Sequence, residues 1–367
     1  MTHGSSRVRS MLVALAVLAL WGPALAFGYE DALADGTLLP GSGPFSMAFG
    51  GVRSTGLGDP SCLFLNPADL SRVSSSAFLV CVGPGIGHEV VDVGQGRSER
   101  SNLGLGPTEG CFRISLGQRA GLGAGITRVS DFTYDATQYV ASDSLQPDQI
   151  TYSESFKSTG GLWEAAGGFG WRFVRWMSAG ASLGTRFGGG SVDFAHDDWV
   201  GEDDSLYSSD WSESSLCAHL GVSAVFGLNS IGVSYATSSD HYPDVLSAGA
   251  MLFSGGEGSG MIGFEGEITD PSEAAQFTGK LFGSVSPDRT FSMRGSLLFG
   301  SRGTSSEKRS VLGFGLGASV DLGKASMEGA FLSTRMAREE GGAFGFEQVE
   351  RIVDTVSLVT LGLSYTF

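Results

Sequence analysis

The sequence predicts an all-β fold: an antiparallel transmembrane β-barrel of about 14 strands, preceded by an N-terminal hatch. Three observations carry that expectation. The final segment, 354–367, alternates with a period of two. Phe367, Tyr365, Leu363, Leu361 and Val359 share one face, while Thr366, Ser364, Gly362 and Thr360 share the other. An apolar face ending in aromatics, backed by a small polar face, suits a wall between lipid and a lumen. After Ser75 the chain falls into about fourteen alternating segments, each near the ~9–11 residues of a tilted membrane strand. Their connections alternate too. Short turns such as Val174-Arg175, Gly227-Leu-Asn-Ser230 and Leu322-Gly-Lys324 interleave with long polar stretches at 84–108, 129–159, 188–213 and 334–353. Composition agrees, because Gly 57 with only 17% charged residues fits neither an average soluble domain nor a disordered chain.

Taken in order, residues 1–26 read as a cleaved signal peptide. Arg7 and Arg9 precede the apolar run Met11 to Trp21, and Ala24-Leu25-Ala26 offers the cleavage site. The run is short of the ~20 residues a spanning helix needs. No cysteine follows the cleavage site, which argues against a lipid anchor. Removing Arg7 and Arg9 leaves 21 basic against 39 acidic residues, a net charge of −18. That argues against nucleic acid as a partner, since phosphate binding needs clustered cations. Cys62, Cys81, Cys111 and Cys217 show no CxxC or CxxH spacing, so no metal site is expected. Cys81 and Cys111 are read either as a disulfide across the first hairpin or as two free buried thiols.

Residues 27–75 are not strand-like and form the expected hatch, with 76–367 as the barrel. Ser46-Met-Ala-Phe-Gly-Gly-Val52 is followed by Gly58-Asp-Pro-Ser-Cys-Leu-Phe-Leu-Asn-Pro-Ala-Asp-Leu70. Asp59-Pro60-Ser61 and Asn66-Pro67 are turn makers, and Gly50-Gly51 permits positive φ or close packing. Phe45, Met47, Phe49, Leu63, Phe64 and Leu65 argue against a free linker in water. This stretch resembles that of the FadL-like outer-membrane family and its PorV/PorQ-type relatives. It matches at Ala48, Gly50, Gly51, Asp59, Pro60, Ser61, Asn66, Pro67, Ala68 and Leu70, and departs at Gly58 and Asp69. The resemblance implies an outer-membrane location, a lumenal hatch, and recognition by the barrel-assembly machinery through Phe367. It also implies passive uptake of hydrophobic, fatty-acid-like molecules through a plugged barrel. The alternative it carries is a non-transporting barrel that serves a secretion system or surface-protein attachment.

Alternation assigns the faces. In 309–322, Leu312, Phe314, Leu316, Ala318, Val320 and Leu322 oppose Gly313, Gly315, Gly317, Ser319 and Asp321. The bulky face must meet lipid, where a charge costs roughly 2–4 kcal/mol at mid-bilayer. Arg113, Glu164, Arg186, His219, Glu265, Glu267, Lys280, Arg294 and Glu328 then point inward. They read as salt bridges bracing wall and hatch, or, for Arg113, Arg186, Lys280, Arg294 and His219, as contacts for a ligand in the lumen. The acidic stretch 188–213 reads as a solvated loop rather than a calcium site. Its Trp199, Tyr207 and Trp211 read as interface anchors or an outer capture site. A lateral gap, if the wall has one, is expected in the glycine-rich strands 160–173 or 258–269. No catalytic nucleophile–base signature is present, so no enzyme activity and no cofactor is expected.

Overall fold

The computed structural model describes residues 37–39, 42–55, 58–72, 75–93, 96–140, 152–198, 205–254, 259–270, 275–288, 290–302, 309–338 and 349–367. The expected signal peptide, 1–26, lies outside the described residues. The strands are β1 (Thr37–Leu38), β2 (Ala77–Val93), β3 (Gly96–Leu116), β4 (Ala120–Asp131), β5 (Tyr134–Val140) and β6 (Tyr152–Val174). Then come β7 (Met177–Asp198), β8 (Ser205–Phe226), β9 (Asn229–Ala236), β10 (Val245–Ser254) and β11 (Gly260–Thr269). The last five are β12 (Gln276–Val285), β13 (Phe291–Arg302), β14 (Arg309–Asp321), β15 (Ala325–Arg338) and β16 (Val349–Thr366).

One sixteen-stranded sheet contains them all, and the β4–β6 and β16–β2 pairings close it. The short β1 and β5 stand outside the ring, which leaves fourteen antiparallel wall strands. Thr366 pairs with Ala77, and Phe367 N–H donates to Ser76 O at 3.0 Å, so the chain terminus completes the β16–β2 seam. A closed ring leaves no sheet edge in contact with lipid, as a bilayer demands.

The alternation holds residue by residue. Leu297 is 58% exposed on the outer face while its neighbour Leu298 is 3% exposed inside. Leu312, Phe314 and Leu316 face outward, and Leu363, Tyr365 and Phe367 do so on the last strand. At the short-turn end Trp171, Phe173, Trp176 and Phe226 stand exposed, as an aromatic girdle requires.

Two expectations need correction. The stretches 84–108 and 188–213 are strand extensions rather than long loops: β2 with β3, and β7 with β8, continue their ladders almost to the hairpin tip. Hydrophobic alternation fades there because both faces leave the lipid, while backbone pairing continues without it. Trp211 is not an interface anchor. It packs in the lumen on Phe132 (4.4 Å between centroids) and His241 (4.8 Å). Tyr207 is exposed, and Trp199 lies outside the described residues.

No disulfide forms. All four thiols are free and buried, with Cys81 opposite Glu109 and Cys111 opposite Leu79. The β2–β3 register therefore sets the pair diagonally, two residues out of step, instead of face to face. Strand β11 is paired on both sides along its whole length, so no lateral gap opens there. In β6 the partner changes from β4 to β5 near Gly160 (φ 130°), a kink with pairing on either side of it.

Candidate functional site

The lumen is filled by the hatch. It contains helix α1 (Gly43–Ala48), helix α2 (Cys62–Leu65) and a 3-10 turn, Pro67–Ser71. Pro44 suits the first turn of α1, where an N–H has no helical acceptor. Gly50 (φ 76°) and Gly51 (φ 78°) end it, donating to Met47 O and Ser46 O. A side chain would resist that left-handed pair. Asn66 is extended at the start of the 3-10 turn. It accepts from Ala68 N–H at 3.2 Å and donates to Ser54 O at 2.6 Å, tying the two halves of the hatch together. Asp59 accepts from the Ser61 N–H and hydroxyl, with Pro60 between them. Asp69, where the family resemblance has glycine, leaves the turn intact. It accepts from the wall hydroxyl of Ser223 at 2.8 Å and pairs with Arg72 at 3.2 Å.

Glycine lets the wall receive this element. A β-carbon on Gly170 would come 2.6 Å from Pro67 O, one on Gly315 2.7 Å from Ala48 O, and one on Gly362 2.6 Å from the Pro44 ring. Gly121, Gly180, Gly221 and Gly232 likewise admit Leu70, Pro67, Asn66 and Ser54. Part of the wall's glycine content is therefore the imprint of the hatch, while others, such as Gly184, Gly188 and Gly300, admit the backbone of a neighbouring strand.

Polar anchoring converges on Glu265 of β11. Arg53 N–H donates to both its oxygens at 3.0 Å, Ser54 N–H at 2.7 Å and the Ser54 hydroxyl at 2.5 Å. Lys280 of β12, cross-strand from Glu265, reaches it at 3.0 Å, Glu267 at 2.8 Å and Gly51 O at 2.7 Å. Arg53 Nε pairs with Glu267 at 3.3 Å. A carboxylate buried this deeply is tolerated because donors surround it.

The other cations also meet protein groups. Arg113 donates to Gly58 O at 3.0 Å, and Arg294 pairs with Glu328 at 2.9 Å beneath the Phe45 ring. Arg186, fully buried, donates to Glu164 at 3.0 Å and to Thr237 O, and stacks on Tyr242. His219 Nε2 meets the other Glu164 oxygen at 2.5 Å. Sequence reading placed all of these in the lumen. It missed Arg53, Ser54 and Tyr242, whose loops carry no periodicity to reveal their direction.

Above the hatch, toward the long-strand end, a cavity of about 70 Å³ remains. Leu39, Val245, Leu298, Val311, Met336 and Val356 line it with Lys280 and Glu267 at one side. Ligand pockets usually span ~300–1,000 Å³. Passage of a molecule larger than a few waters thus requires the hatch loops to move.

Burial, followed by the Glu328 carboxylate, pushes Asp59 of the hatch up from 3.8 to about 6. Between those values the folded chain holds a proton that the unfolded chain has released, so this group's contribution falls as pH rises. Asp59→Asn mimics the protonated form. Its melting temperature relative to the parent is expected to be higher at about pH 7.5, to lose part of that advantage by about pH 5, and to lose the rest only as pH falls below 3.8. Thermal unfolding of the two proteins at both pH values checks the sign.

No family model and no curated protein matches the sequence. Solved structures match its shape. A Pseudomonas aeruginosa FadL homologue aligns with TM-score 0.66 at 10% identity, covering 90% of this chain and all of its own. A TodX monoaromatic hydrocarbon channel mutant aligns with TM-score 0.64 at 13% identity, covering 89% of this chain and 99% of its own. The Pseudomonas putida toluene transporter TodX gives 0.61 at 12% identity, over 90% and 99%. This chain, a fourteen-stranded barrel closed around an amino-terminal hatch, therefore shares its fold with these proteins.

Proposed function

We propose that this protein is an outer-membrane channel for hydrophobic small molecules, held closed by residues 42–72 and opened by their displacement. The observation that carries the reading is the run of apolar side chains in the cavity above the hatch, which Arg53, Thr278 and Thr334 also line. A water-filled pore presents a polar interior. Here Leu298, Val311, Met336 and Val356 point into the lumen, beside the Lys280–Glu267 pair. An apolar chain or ring would rest on the first group, and a carboxylate, if the molecule has one, would meet Lys280. Fatty acids and simple aromatic hydrocarbons both fit that description. The likeness to hydrocarbon channels and a FadL homologue supports the transport reading at the level of fold. Phe367, seated at the β16–β2 seam, is the residue we assign to recognition by the barrel-assembly machinery.

The small cavity and the Glu265 anchorage favour a second reading, a sealed barrel whose outer strands dock a secretion component or surface protein. Binding of labelled palmitate and labelled toluene to detergent-solubilised protein separates the two. Transport predicts saturable binding of at least one probe, weakened about tenfold or more by Val356→Asn, which places an unpaired amide in the apolar lining. Absence of saturable binding to both probes by folded protein would leave the sealed barrel as the better account.

A further inference from the structure

We propose that Glu164, Cys217 and His219 form a binding site for a divalent transition-metal ion of the zinc class, set in the wall where it meets the hatch. One carboxylate oxygen, the Cys217 Sγ and one imidazole nitrogen lie within 4.8 Å of one another, the one such group among the described residues. All three side chains are more than nine-tenths buried. Barrel geometry brings them together. Cys217 and His219 stand two residues apart on the lumen face of β8, and Glu164 reaches toward them from β6. Between them on β7, Gly184 pairs with both Ala166 and Cys217 and offers no side chain to keep the donors apart. No sequence spacing announces this site because its ligands come from two strands separated by a third.

The donor set is thiolate, imidazole and carboxylate, the combination that suits zinc-like ions over calcium or magnesium. Three protein ligands leave a fourth position for water in such sites. A cavity of about 20 Å³ borders Glu164 and His219, though not Cys217, and is room for one water molecule on that side of the site. One polar feature is otherwise unexplained, and one contact fits a metal-binding role. His219 Nδ1 is buried with no hydrogen-bond partner, although its Nε2 faces Glu164. Arg186 Nε holds the second Glu164 oxygen at 3.0 Å, the kind of outer contact that orients a metal-binding carboxylate. Coordination needs the thiolate, so binding of the ion releases the Cys217 proton.

The test is cobalt titration of the folded, chelator-stripped protein in detergent, with folding confirmed by heat-modifiable gel migration. The expected result is one ion per chain with a thiolate-to-cobalt charge-transfer band. That band should persist when Cys62, Cys81 and Cys111 are all replaced by alanine, and vanish in Cys217→Ser. Zinc competition should show His219→Gln weakening binding by more than the ~10–100-fold typical of losing an outer-shell partner. Folded parent protein that shows no band and retains no zinc overturns the proposal. So does equal zinc affinity in the Cys217 and His219 variants, which would mark the ion as adventitious. Should either single variant fail to fold, the parent and the triple-alanine protein still decide.

Discussion

Glu265→Ala is expected to release the hatch from the wall and to cost roughly 3–5 kcal/mol, the usual penalty for breaking a buried ion pair from one side. The substitution removes the acceptor for Arg53 N–H, Ser54 N–H and the Ser54 hydroxyl together. It also leaves Lys280, buried at 4% exposure, with Glu267 as its remaining carboxylate partner. Thermal unfolding in detergent should report the loss, and trypsin should cut after Arg53 and Arg72 at a greatly increased rate. A double-mutant cycle isolates the pair. Because Lys280→Met removes the charge that the first change strands, the combined cost should fall below the sum of the two single costs. If Glu265→Ala unfolds at the parent temperature with its hatch still protected, Glu265 is not the anchor. Under the transport reading, the same variant should also admit small solutes into liposomes.

Gly180→Val should act from the opposite side, by pushing rather than releasing. A β-carbon there would come within 2.5 Å of Ala68 N and closer still to Pro67. These atoms are backbone, fixed by the 3-10 turn and the Asn66 bond to Ser54, so they cannot swing aside as a flexible side chain would. Overpacking typically costs about 1–3 kcal/mol, and here it falls on the hatch–wall contact. The lipid-facing Gly295→Ala is the matched control, since its β-carbon meets nothing nearer than 3.6 Å. It should change stability by no more than about 0.5 kcal/mol. Equal effects of the two substitutions on melting and on hatch proteolysis would contradict the packing described for Pro67 and Ala68.

Much of the wall was legible in the sequence because period-two alternation and lipid exposure are the same physical fact viewed twice. Leu312, Phe314 and Leu316 had nowhere else to go. The outer halves of β2, β3, β7 and β8 were not legible, because a strand in water needs only its ladder and imposes no hydrophobic period. The hatch announced itself through Asn66-Pro67 and Gly50-Gly51, which shape backbone locally. Its destinations stayed hidden: Arg53 and Glu265 lie 212 residues apart, and closure of the ring brings them together. The same holds for Glu164 with Cys217 and His219, and for Trp211, whose place in the lumen depends on Phe132 and His241.

The central claim is that oily side chains meet the bilayer while the inner face grips the hatch. Spin labels at Leu297→Cys and Leu298→Cys, in a background with the four native cysteines replaced by alanine, test it most directly. In reconstituted bilayers, the label at 297 should be reached freely by oxygen dissolved in lipid and poorly by a water-soluble nickel chelate. At 298, one residue along and packed near Gly50, the label should be shielded from both. A lipid-exposed label at 298 beside a shielded one at 297 would contradict the account.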